Sequence, residues 1–357
     1  MASLWLAALC AALAPAAFAQ SALEQARQLA APPAAGGQLA CPGPRKSYKK
    51  DSHIQTNLRL ARGNDARKDD HPRIKAWLDE IERCGELEWL RQHSAPIPAE
   101  DIAFIGEAVK RMPWLDPQRI FYVASEHRDA ALIGSIFGIH ETKVGEVWND
   151  VQTPDGPVSA FVMSGQAAFE QRRATLVHEA HHMGHRPPAE LRQAVMAAFR
   201  GISELEAGPA RTPEERFSLV LFGDGYQAVT MYLEEGYTEW LTQKTLSEML
   251  GKDLPRSDIY PSAQAAAAEF IAQAGEQPLR AFSERGDTRP LLAHLGPDGR
   301  ALFARLAVGL WNYQRFAGGL ALENENHGLM LRLLREPAKA AEISRERDAL
   351  AAAAKKR

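Results

Sequence analysis

Five residues, His178-Glu179-Ala180-His181-His182, constrain this chain more than any other segment. They fit the pattern H-E-x-x-H. On an α-helix, His178 and His182 fall at i and i+4 and stack on one face. Two imidazoles so placed can hold one Zn²⁺. Glu179 lies beside that face, where it can take a proton from a water on the metal. The preceding Thr175-Leu176-Val177 are small or apolar, and Ala180 and Met183 carry no charge. A buried zinc-binding helix requires such neighbours, because an unpaired charge beside the metal is costly. The motif predicts a helix here and makes a metal-dependent hydrolase the leading expectation.

A zinc site that keeps one position open for water needs a third protein ligand. His185 is only three residues beyond His182 on the same rod, and a straight helix cannot easily wrap three ligands tetrahedrally around one ion. The metzincin pattern wants a Gly three residues and a His six residues after the second motif His. Those positions hold His185 and Pro188, so that pattern is absent. The better candidate lies downstream, in Tyr232-Leu233-Glu234-Glu235-Gly236-Tyr237-Thr238-Glu239-Trp240-Leu241.

This segment resembles the second zinc-binding helix of the gluzincins, the group of thermolysin-like and aminopeptidase-like enzymes. The resemblance covers roughly residues 157–245, and the two motifs carry it. It implies that Glu235 is the third ligand, Thr238 the small residue at +3 and Glu239 the carboxylate at +4, with Glu234 and Glu239 as alternative ligands. Residues i and i+4 share a face, so Glu239 can reach a ring N–H of a ligating His and fix its tautomer. Gly236 and Thr238 would let this helix approach the first one closely. Two features depart from the pattern. Gly184 stands where zincins carry an apolar residue, and His182 and Glu235 are 53 positions apart, a longer gap than in thermolysin.

The ends of the chain bear on compartment. Residues Met1 to Ala19 read as a signal peptide, with an apolar run from Leu4 to Leu13 and an A-x-A cleavage site at Ala17-Phe18-Ala19. This predicts export, to the periplasm or beyond. Removal of the leader leaves Cys41 and Cys84, most simply one disulfide. Chain-entropy reasoning gives about 4 kcal/mol for a loop of that size. The bond would span Pro42 to Arg73, a Pro/Gly- and charge-rich stretch with little core of its own. Cys41 as a thiolate cap on the zinc is the alternative.

The expected organisation is a signal peptide at 1–19, a leader and disulfide-linked segment at 20–70, a zincin-like domain at 71–345 and a tail at 346–357. Helical spacing runs through Ile74, Trp77, Leu78 and Ile81, and again from Ala99 to Met112. Strands are expected at Arg119–Ala124, more weakly at Val144–Trp148, and at Val158–Met163 after the turn Pro154-Asp155-Gly156-Pro157. Beyond the motif, Arg186-Pro187-Pro188 stops the helix. Thr212-Pro213-Glu214-Glu215 reads as a helix start, and helices are expected near 227–250, 262–274, 299–316 and 326–335. The fold class is therefore α+β: a small sheet, the H-E-x-x-H helix, then a mainly helical subdomain carrying the third ligand. The strand nearest the motif is either an edge, able to take a substrate by strand addition, or a central strand.

These expectations converge on zinc-dependent hydrolysis of a peptide or protein substrate. The metal set is His178, His182 and Glu235, with Glu179 as general base. Tyr226, Tyr237, Tyr313 and His327 are candidates for stabilising the oxyanion, His327 in a polar turn. A non-catalytic zinc-binding protein and a zinc amidase acting on cell-wall amides are the rival readings. The formal charge of -3, with acidic residues interleaved among the early Lys and Arg, argues against a nucleic-acid partner. No apolar run after the leader reaches 18 residues, so no stable membrane span is expected in the mature chain.

Overall fold

The computed structural model describes residues 52–123, 144–153, 156–184, 225–254, 260–315 and 320–354. The expected signal peptide, Cys41, His185 and the expected helix start at Thr212 lie outside them. The chain divides into two compact units, residues 1–184 and 185–357.

The first unit opens with helices α1 (His53–Arg62), α2 (His71–Cys84), α3 (Glu86–His93) and α4 (Ala99–Arg111). Helix α1 begins well before the expected start at His71. Ser52 caps it by accepting from the backbone N–H of Gln55 at 3.1 Å. Its Ile54 and Leu58, one turn apart, are fully buried. Residues 52–73 of the stretch from Pro42 to Arg73 thus do contribute to the core, because two apolar residues at i and i+4 suffice once a cap starts the helix. Cys84 is disulfide-bonded, its partner lying outside the described residues.

Strands β1 (Ile120–Val123), β2 (Gly145–Thr153) and β3 (Gly156–Ser164) form a sheet in the order β1-β3-β2. Strand β3 runs parallel to β1 and antiparallel to β2. The strand nearest the motif is therefore central, and its near-continuous apolar run fits burial on both faces. On one face Ala160 and Val162 join Ile54, Leu58, Trp77 and Trp89. Phe161 and Met163 point the opposite way and are equally buried. Trp148 and Val151, three positions apart, both reach the first face because the β2 register shifts between them. Helix α5 (Phe169–Gly184) packs against β2 and β3. A small-to-close contact marks the packing: a Cβ on Gly145 would lie 3.0 Å from the Thr175 methyl and 3.2 Å from Met163.

The described part of the second unit is helical: α6 (Gly225–Leu250), α7 (Pro261–Ala274), α8 (Gln277–Arg285), α9 (Arg289–Arg315), α10 (Leu320–Arg335) and α11 (Ala340–Ala354). Helix α6 packs on α7 and α9, and α9 on α10. The shared core includes Tyr232, Phe270, Phe282, Leu291, Phe303, Leu306, Trp311 and Leu333. The expected helix at 299–316 is longer than the spacing suggested. It starts at Arg289 and kinks at Gly296, whose φ is +67°. Pro297 then starts the second half, where its missing N–H costs nothing. The architecture is α+β, mostly helical with one small sheet. Among the described residues no helix is long and apolar enough to cross a membrane.

Candidate metal centre

Helix α5 carries the H-E-x-x-H residues as expected. Leu176, Val177 and Ala180 are buried, while His178, Glu179 and His182 are half-buried. The two rings meet with centroids 4.7 Å apart and planes at 74°. Their Nε2 atoms stand 3.0 Å apart. Two nitrogens bound at 2.0–2.1 Å to one tetrahedral ion would stand about 3.3 Å apart. In the absence of an ion the same spacing suits one ring N–H donating to the other ring's bare nitrogen.

Helix α6 holds the downstream segment. Glu235 is buried at 7% exposure, and Thr238 and Glu239 are buried with it. A carboxylate kept from water needs a proton or a cationic partner. One ligand atom from each of His178, His182 and Glu235 lies within 4.8 Å of the other two. This buried His-His-Glu group can bind a metal ion. Glu234 and Glu239 are not members of it. Two imidazoles and one carboxylate are three N and O donors of the kind that divalent transition metals take.

Several expectations around this group need correction. A Cβ on Gly236 would lie 2.7 Å from the carbonyl carbon of Ala263, so the glycine allows α7 to pack against α6. Tyr237 donates its hydroxyl to Glu276 at 3.0 Å and stacks its ring on Trp240. Burial, reinforced by the Glu276 carboxylate, pushes its phenol well above the usual range. It is a poor candidate for an oxyanion donor. His327 lies inside α10 and not in a turn, half-buried between the buried Asn326 and the exposed Gly328. Tyr226 and Tyr313 belong to α6 and α9, but their side chains are outside the described set.

The departure at Gly184 has a physical reason. A Cβ at this position would lie 2.6 Å from Nε1 and 2.7 Å from Cζ2 of Trp114. The Trp114 indole also donates to the carbonyl of Ala180 at 2.7 Å. At the other end of α5, the buried Arg172 donates to both oxygens of Asp101, at 2.7 and 2.8 Å. Tyr122 of β1 bonds the same carboxylate. No sequence pattern pairs Trp114 or Asp101 with this helix. Asp101 reads as an ordinary first-turn acid of α4, and Trp114 as a surface residue after it.

No protein-family model, curated protein or solved structure matches the chain.

Proposed function

We propose that this chain is a zinc-dependent hydrolase that cleaves peptide bonds, with His178, His182 and Glu235 as ligands and Glu179 as general base. One observation carries the reading: a ligand atom from each of the three residues lies within 4.8 Å of the others. Two of them are i,i+4 on one helix, and the third comes from the segment whose pattern singled it out. The order of a small sheet followed by the H-E-x-x-H helix supports a zincin-like, specifically gluzincin-like, arrangement.

Bound there, the metal supplies Lewis acidity that polarises a carbonyl and brings the pKa of water toward about 7. Glu179, adjacent to His178, removes the proton from the attacking water and delivers it to the departing amine. Glu239, one turn beyond Glu235 and buried, is suited to accept from the ring N–H of a ligating His and fix its tautomer. The leader read at Met1 to Ala19 supports a site of action outside the cytoplasm. The disulfide at Cys84 supports that compartment, because such bonds persist where the surroundings are oxidising.

The test joins metal analysis with cleavage of a peptide library. Zinc at one equivalent with cleavage is expected. Glu179→Gln should keep the metal and lower turnover by about 10²–10⁴-fold, the usual loss with a general base. Full activity in that variant sinks the mechanism. Zinc without cleavage of any peptide favours a binding protein, and cleavage of a peptidoglycan fragment but no peptide favours a cell-wall amidase.

A further inference from the structure

The chain leaving α4 reaches the far end of α5. Trp114 lies three residues beyond the helix, and its indole N–H meets the Ala180 carbonyl at 2.7 Å. The same ring lies against the backbone of Gly184, leaving no room for a side chain there. Ala180 and Gly184 bracket His182 in sequence, so ring and hydrogen bond grip the turn that presents this imidazole. A flat, rigid side chain that both donates to this turn and packs on it limits the turn's movement.

The grip has a counterpart at the first turn of α5. There Arg172 is fixed by Asp101, and its guanidinium also reaches Glu100 and the carbonyl of Ala167. Phe104 of α4 meets Phe169 edge-on, with centroids 6.2 Å apart. Residues of α4 therefore secure the start of α5, and Trp114 secures its end. The two contacts differ in burial. Arg172 is 5% exposed, whereas Trp114 is 41% exposed. A half-exposed ring adds little to the core, so its hydrogen bond and its contact with Gly184 have their main effect on the geometry of the last turn.

We propose that Trp114 is a positioning residue for the metal centre: it fixes the turn of α5 that carries His182 and so aims this imidazole at the ion. The inference rests on the reading of His178, His182 and Glu235 as metal ligands. Ligand geometry must hold to about 0.5 Å, and loss of an outer-shell support lowers metal affinity by about 10–100-fold. Trp114→Phe keeps an aromatic ring but removes the N–H. Trp114→Ala removes both contacts. Gly184→Ala keeps the indole but forces it away.

The experiment titrates the full chain with Zn²⁺ against a chromophoric chelator, records the visible spectrum of the Co²⁺ form, and melts each variant without metal. All three variants are expected to bind zinc about 10–100-fold more weakly and to shift the cobalt bands. Their metal-free melting midpoints should move by no more than about 4 °C. Wild-type zinc affinity and an unchanged cobalt spectrum in both Trp114 variants would overturn the inference. So would an affinity loss accompanied by general unfolding of the metal-free variants. His182→Ala separates the two levels of the argument. If it binds zinc as tightly as wild type, the metal-site reading itself fails. If it loses zinc while the Trp114 variants do not, only the positioning role fails.

Discussion

Gly236 shows how one missing methyl group can decide a helix–helix contact. Alanine is the better helix former by about 1 kcal/mol, so on an exposed helix Gly236→Ala would stabilise. Here the added Cβ meets the backbone of Ala263, which is not the end of a flexible side chain and cannot rotate away. Overpacking of this kind costs about 1–3 kcal/mol, enough to outweigh the gain in propensity. Gly236→Ala is therefore expected to lower stability by up to roughly 2 kcal/mol net, read as a lower urea midpoint with unchanged m-value. A more stable variant would mean that α7 does not approach α6 as described. The same residue shows what a local pattern conveys. Glu235 was legible because its neighbours formed a recognisable string, but the purpose of Gly236 was not, since the string does not say which helix passes over it. The two motif histidines needed no such information, because i,i+4 spacing alone brings them together.

At the scale of elements, Glu86 ties three of them. It starts α3, accepts hydrogen bonds from Ser52 ahead of α1 and from Gln55 within it, and accepts from the backbone N–H of Gln152 on β2. Burial raises its pKa, with Asp150 adding to the rise, and the hydrogen bonds from Ser52, Gln152 and Gln55 only partly offset it. The folded protein thus favours the protonated carboxyl more than the unfolded chain does. The stability contributed by that preference is complete below the ordinary carboxylate pKa of about 4.3, and it is lost as pH rises through the higher folded value. Glu86→Gln stays neutral throughout and can still accept from Gln152. Its stability relative to wild type is expected to improve as pH rises from 4 to 8. Chemical denaturation at a series of pH values measures this, and a difference independent of pH would show that Glu86 titrates normally. Elements with a sustained apolar stripe, such as α2 and α4, were legible from periodicity, whereas α6 was legible from its motif. Helix α1 was obscured by its charge, although Ser52-His53-Ile54-Gln55, with an N-cap Ser and a Gln three residues on, carries a capping signal. The extra length of β2 was hidden by its bulge, which breaks the period-2 pattern between Trp148 and Val151.

For the molecule as a whole, metal binding and folding must be linked if the proposed site is real. A ligand that binds only the folded form adds RT ln(1 + [L]/Kd), about 2.7 kcal/mol at a hundredfold excess over Kd. His182 and Glu235 are 53 positions apart, so the unfolded chain does not hold them together and the linkage is expected to be near its full value. Zn²⁺ should therefore raise the melting midpoint, and a chelator should reverse the rise. Glu235→Ala should remove most of that increment while leaving the metal-free protein folded, since Glu235 is not among the residues of the helical hydrophobic core. Phe303→Ala provides the contrast. Phe303 is 1% exposed within the helical core, and its truncation should cost about 3–5 kcal/mol. That loss should be the same with zinc or with chelator, because it comes from packing and not from ligation. A zinc-dependent loss in Phe303→Ala, or an undiminished zinc response in Glu235→Ala, would place the ion somewhere other than at His178, His182 and Glu235.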